Sequence, residues 1–85
     1  MKIAIVISSP PLRQVFRGEQ PRAVCVIAER ALWPLLEAGS PLTVTVQCSS
    51  ARTQAQLNDY FSELVATERE FRLIEAQKPD PNAKA

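Results

Sequence analysis

Eighty-five residues suffice for one small domain and exclude a second, because chains of this size bury only about 60–65% of their unfolded surface. With 46% hydrophobic and 22% charged residues the composition is that of an ordinary globular chain. The absence of any histidine removes the commonest general base and imidazole ligand, and a formal charge of +1 is too weak a field to specify a polyanionic partner.

The first apolar run, Lys2 to Ser8, is rich in β-branched residues and bounded by Ser8, Ser9, Pro10 and Pro11, which predicts a short strand with Ile3, Ile5 and Ile7 on one face. It is too short for a signal peptide or a membrane span, so a cytoplasmic protein without membrane contact is expected. Residues 9 to 20 mix turn formers with Leu12, Val15 and Phe16, and read as a surface loop or arm. Gln20-Pro21 opens the next segment, since proline fits the first helical turn, and Gly39 closes it at a position suited to a left-handed cap. Val24, Ile27, Ala31, Leu35 and Ala38, with Leu32 and Leu36, form the expected apolar stripe of this helix. Pro34 removes the hydrogen bond to the Arg30 carbonyl, so a kink or restart is expected there.

Leu42 to Cys48 alternates as a half-buried strand, with Leu42, Val44, Val46 and Cys48 inward. Ser49 or Ser50 can cap a helix running from Ala51 to Gln77, which no proline or glycine interrupts. Leu57, Tyr60, Leu64, Thr67, Phe71 and Ile74 follow a heptad-like seam along it, widened by Phe61 and Val65. Its first half should pack on the sheet and its charged second half should project. Lys78 to Ala85 reads as a disordered tail. The expectation is therefore an α+β fold, two short strands with two helices, the second long, packed on one face, as a single compact domain over 1–77.

Charge is unevenly spread. Residues 1 to 55 carry Lys2, Arg13, Arg17, Arg22, Arg30 and Arg52 against Glu19, Glu29 and Glu37, whereas residues 56 to 85 carry Arg69, Arg72, Lys78 and Lys84 against Asp59, Glu63, Glu68, Glu70, Glu75 and Asp80. The arginine-rich first part permits a phosphate-binding face or a solvated helix surface. Cys25 and Cys48 are too few for a zinc motif and are expected to be buried reduced thiols. Gly18 and Gly39 are isolated, so no glycine-rich phosphate loop exists, and most carboxylates fall on one solvated helix. A non-enzymatic protein with no cofactor and no metal is expected. Trp33 falls near the polar side of its helix, with Arg22, Glu29, Arg30 and Glu37, where it can stack on a base or anchor an interface; alternatively the proline turns it into the core.

Residues 41 to 64 combine a strand ending in a polar Gln47 with Arg52, Thr53 and Gln56 opening a helix, then Phe61 and Leu64 as an aromatic and a leucine. This stretch resembles the start of the NinB, or Orf, family of lambdoid-phage recombination proteins, whose members carry Arg-Ser/Thr-x-x-Gln-Asn at this point. Leu57 replaces the family's Asn, the resemblance covers about a quarter of the chain, and family members continue well beyond this helix. The resemblance implies a phage or prophage protein that binds single-stranded DNA, works with the host single-strand-binding protein and forms a homodimer. The residues themselves are compatible at Arg52 and the amides of residues 50 to 53, where a helix N-terminus favours phosphate; Arg52 and Gln56 can equally brace the strand-to-helix turn. Two readings result. In one, Arg52, Gln56, Arg13, Arg17 and Trp33 bind single-stranded nucleic acid. In the other, the chain is a protein-interaction module or inhibitor of a host or defence complex, acting through its last helix or Trp33. In either, Tyr60, Leu64, Phe71 and Ile74 are candidates for a dimer interface.

Overall fold

The computed structural model describes residues 1–77, with side chains to residue 75. The elements are β1 (Ile3–Ser9), β2 (Leu12–Gly18), α1 (Pro21–Glu37), β3 (Thr43–Cys48) and α2 (Ala51–Gln77). The expected α+β class holds, with a long second helix and helices packed on the sheet. The expected tail at 78–85 lies outside the described residues.

The strand count is corrected from two to three. Residues 12 to 18 form β2 rather than a loop, and the sheet order is β2-β1-β3 with both pairings antiparallel. Ser9 pairs with Leu12, so Pro10-Pro11 is a two-residue hairpin turn. The strand was hidden because it lies at an edge: only Phe16 of its helix-side positions packs on the core, while Leu12 and Gln14 are exposed. Without a continuous apolar face the period-2 signal fades.

Ile3, Ile5 and Ile7 share one face of the central strand and are buried, with Val46 beside Ile5. From α1 they meet Val24, Ala28, Leu32 and Leu36, and from α2 they meet Phe61. The stripe of α1 is thus rotated from the expected one: Ala28 is fully buried, whereas Ile27 is 53% exposed. Both sets have helical spacing, and only the position of the sheet chooses between them. Val24 sits so close to β2 that a Cβ on Gly18 would lie 2.8 Å from its Cγ2, which is how α1 reaches the sheet so soon after the strand ends. The helix continues through Pro34 to Glu37 instead of restarting; with the proline in the last turn, few carbonyls lose a donor. Gly39 at φ 69 completes a Schellman motif, with the Gly39 N–H donating to Leu36 O at 3.1 Å and the Ser40 N–H to Leu35 O at 3.2 Å.

The bounds of α2 agree with the expected ones. Ser50 is the cap, its Oγ accepting the Thr53 N–H at 3.3 Å. The helix packs through Phe61, with Leu57, Leu64 and Val65 also against the core, so two residues expected only to widen the seam lie at its centre of contact. Among the described residues no helix is long and apolar enough to cross a membrane. Cys25 and Cys48 are free and half-buried rather than buried.

Candidate nucleic-acid interface

With both helices on one side, the other face of the sheet is open among the described residues, and its composition follows from strand alternation. Three rows cross it. Arg13, Ser8 and Thr43 form the first, Val15, Val6 and Thr45 the second, and Arg17, Ala4 and Gln47 the third. The two arginines, Val15, Thr43, Thr45 and Gln47 are exposed, and the β1 residues between them are half-buried beneath their neighbours. No carboxylate stands in these rows. Small side chains along β1 leave the surface low at its middle, and Arg13 and Arg17 stand about 13 Å apart on the same edge strand.

The third row leads into a depression of about 730 Å³ at the end of the sheet, bordered by Lys2, Ala4, Arg17, Gly18, Gln47, Ser49 and Gln54, with Glu19 as an opposing charge. Both helices begin at this end, and neither carries an acidic residue in its first turn. The partial positive charge of their free N–H groups therefore adds to that of Lys2 and Arg17 without local neutralisation from the helices themselves.

The expected site residues do not form one surface. Arg13 and Arg17 come together on the open face. Arg52, exposed in the first turn of α2, sits at the same end of the sheet but outside the depression, and Gln56 follows it one turn later on the solvent side of the helix. Trp33 is half-buried against the core on the helix side; the expectation that it joins the arginines is not met, because α1 covers the opposite face. Phe16 also points to the helix side. The open face accordingly has no aromatic ring and offers no stacking platform of the kind many single-strand binders use.

Several contributors were missed. Thr43, Thr45 and Gln47 are the outward set of the same alternation that marks β3, so they were readable as a face; what could not be read was that Arg13 and Arg17 share it, since that depends on β2 existing. Gln54 and Asn58 were missed as well. The Val46 N–H donates to Asn58 Oδ1 at 2.9 Å and Asn58 Nδ2 donates to the Val46 carbonyl at 3.2 Å, while the Cys48 N–H donates to Gln54 Oε1 at 3.0 Å. Two amides one helical turn apart thus satisfy the outer edge of β3, and their i, i+4 spacing after a strand was the available signal.

The titratable groups with shifted behaviour lie elsewhere, between the helices. Tyr60 donates its hydroxyl to Glu29 Oε1 at 3.1 Å. Its pKa is raised by burial first, then by that hydrogen bond and by the charges of Glu29 and Cys25. Burial, then Glu29, also raises the Cys25 thiol, which lowers its thiolate fraction at neutral pH. Among the described residues no group of three or more His, Cys, Asp or Glu side chains could hold a metal ion. In comparisons with protein-family models, with curated proteins and with solved structures, nothing matches this chain.

Proposed function

We propose that the protein is a small non-enzymatic binder of single-stranded nucleic acid, holding the phosphate backbone across the open sheet face. The observation that carries this reading is the pair Arg13 and Arg17 in sheet rows that hold no carboxylate among the described residues, continuous with an end where both helices begin and where Glu19 is the one acidic residue of the depression's described lining. Guanidinium groups fork onto phosphate oxygens, and the threonine hydroxyls and Gln47 amide add neutral donors beside them. Without aromatic rings the contacts fall on the backbone, so binding is weak, salt-dependent and tolerant of base sequence. The resemblance of residues 41 to 64 to the NinB family supports the same class, together with a phage or prophage setting, the host single-strand-binding protein as a protein partner, and recombination as the process served.

Fluorescence anisotropy with a labelled oligonucleotide at several salt concentrations tests the reading. Arg13→Ala and Arg17→Ala should each lower the log-log salt slope by roughly 0.7, the value for one phosphate contact on a single strand. Arg52→Ala should have a smaller effect, because Arg52 acts from the rim of the site. No binding by the wild type at low salt ends this reading in favour of the protein-interaction module. Binding that both sheet substitutions leave unchanged moves the contact surface to α2.

A further inference from the structure

Of the candidate dimer residues on α2, Tyr60, Phe71 and Ile74 are exposed and Leu64 is half-buried. The side of the helix turned to β3 carries a more specific arrangement. There α2 runs back along the strand and meets its outer edge in steps. Four residues of helix advance about 6 Å and two residues of strand about 6.7 Å, so side chains at i, i+4 and i+8 of α2 fall beside alternate residues of β3. The Ser49 N–H donates to the Lys2 carbonyl at 3.1 Å, which fixes the alternation. In the register of β1 with β3, Thr43, Thr45 and Gln47 bond to β1, while Val44, Val46 and Cys48 turn their N–H and carbonyl groups outward. Gln54 takes the Cys48 N–H, and Asn58 takes both groups of Val46. The next step sets Ser62 beside Val44. Its side chain is too short to repeat the contact, and among the described residues nothing bonds the outward N–H and carbonyl of Val44.

A cleft of about 440 Å³ lies at that step, within the size range of sites that hold ligands. The half-buried Leu42, Val44 and Val65 and the buried Phe61 give it apolar walls. Arg69 borders it as the one charged residue of the described lining. Its guanidinium donates to the Ser40 carbonyl, and with five N–H donors in the group that contact leaves Arg69 able to meet an anion.

We propose that this cleft docks an extended peptide segment of another protein, one that presents an aliphatic side chain beside a carboxylate. One residue of the segment exchanges N–H and carbonyl bonds with Val44, in the place that the Asn58 amide holds at Val46. The aliphatic side chain enters between Leu42, Val44 and Val65, and the carboxylate pairs with Arg69. Each part of this occupant answers a feature of the cleft: a backbone pair for a backbone pair, an apolar group for the walls, an anion for a cation that no carboxylate of the described lining opposes. The chain's own residues 78–85 include Asp80 but, prolines apart, no aliphatic side chain larger than alanine, so they do not match it. The assignment is independent of the nucleic-acid reading, because the cleft lies at the Thr43 end of the sheet and the depression beside Lys2 and Arg17 at the other.

The probe is a short synthetic peptide with blocked ends, Val and Thr alternating around one Asp, with an Asn-for-Asp peptide as control. Binding should protect the Val44 amide from hydrogen exchange and should be about fivefold weaker for the control, the size of one exposed ion pair. Arg69→Gln should erase that difference. Ser62→Asn, at an exposed position, supplies at Val44 the amide that Asn58 supplies at Val46. It should slow exchange of the Val44 amide in the free protein and weaken the acidic peptide at least about tenfold, with an unfolding midpoint no lower than that of the wild type. An exchange-protected Val44 amide in the free wild type, no binding of the acidic peptide, or binding that Ser62→Asn leaves unchanged would each overturn the proposal. So would binding that requires removal of residues 78–85, which assigns the cleft to the chain's own C-terminus, or a dimer that Ser62→Asn dissociates, which assigns it to a second copy.

Discussion

The central strand β1 has neighbours finished in different ways. On the β3 flank, α2 lies alongside: Gln54 and Asn58 satisfy the outer edge of the strand, and Phe61 fills the core with no exposure at all. On the β2 flank no such cover is present among the described residues, Phe16 is half-buried, and the exposed positions are Leu12, Arg13, Gln14, Val15 and Arg17. An uncovered strand edge invites pairing with other chains, and charged side chains are a common guard against it. Arg13 and Arg17 supply that guard and, in the proposed function, also the phosphate contacts. The lesson is that stability is concentrated where α2 meets β3, which frees β2 to present charge.

Substitutions can break this contrast, and the largest effect belongs to the closed flank. Phe61→Ala should destabilise the fold by about 3–5 kcal/mol, as for other buried aromatic truncations, whereas Phe16→Ala should cost clearly less because its ring is only half-buried. Urea unfolding followed by the emission of Trp33, the one tryptophan in the chain, measures both. Equal losses at the two positions would remove the asymmetry.

Next in size is the edge itself. Asn58→Ala leaves the Val46 N–H and carbonyl without their side-chain partners and should cost about 1–3 kcal/mol. Asn58→Asp sharpens the test, because a carboxylate still accepts the Val46 N–H but donates nothing to the carbonyl; its loss should be smaller than that of the alanine variant. Amide hydrogen exchange at Val46 should accelerate more in Asn58→Ala than in Asn58→Asp.

On the open flank, Gly18→Ala places a methyl 2.8 Å from Val24 Cγ2. A valine is stiff at χ1 and yields poorly, so a loss of about 1–2 kcal/mol is expected from overpacking. Gly18→Ala combined with Val24→Ala should recover part of that loss. Failure of the pair to couple would show that α1 is not held against β2 at this point.

The smallest effect concerns the contact of α2 with α1. Burial and Glu29 raise the Tyr60 pKa above its ordinary 10.0, so the neutral phenol is favoured in the folded state. Its contribution to stability is complete below the unfolded value and is lost as pH rises through the raised folded value. Tyr60 is the chain's one tyrosine, so an ultraviolet absorbance titration reports it alone. Glu29→Gln should lower the midpoint toward the ordinary value; an unchanged midpoint would mean that burial accounts for the whole shift.

How much of this was legible varies by element. The alternation of Leu42 to Cys48 and the uninterrupted run from Ala51 to Gln77 gave strong signals, because each has one buried face imposed by a repeating period. Ser50 as cap and Gly39 as left-handed terminator were readable from local chemistry alone. The stripe of α1 was legible as a helix yet misplaced by one residue, since Val24 is common to both possible stripes and Ile27 looks at least as apolar as Ala28. Of the candidate site, Arg13 and Arg17 were named without any ground for placing them on one surface. The grouping with Arg52, Gln56 and Trp33 rested on residue type, which says nothing about which side of a sheet a side chain occupies.

By itself the sequence determined what local rules decide: where helices start and stop, which segments repeat at period 2 or 3.6, and that the second half of α2 is charged. Tertiary structure alone decided what depends on distant partners. An edge strand with little apolar content becomes a strand because β1 offers it a row of backbone hydrogen bonds, and Asn58 becomes a structural residue because β3 presents an unpaired edge twelve positions away. Arg13 and Arg17 become a single face because both helices choose the other side of the sheet, where Ile3, Ile5 and Ile7 have most apolar surface to lose from water.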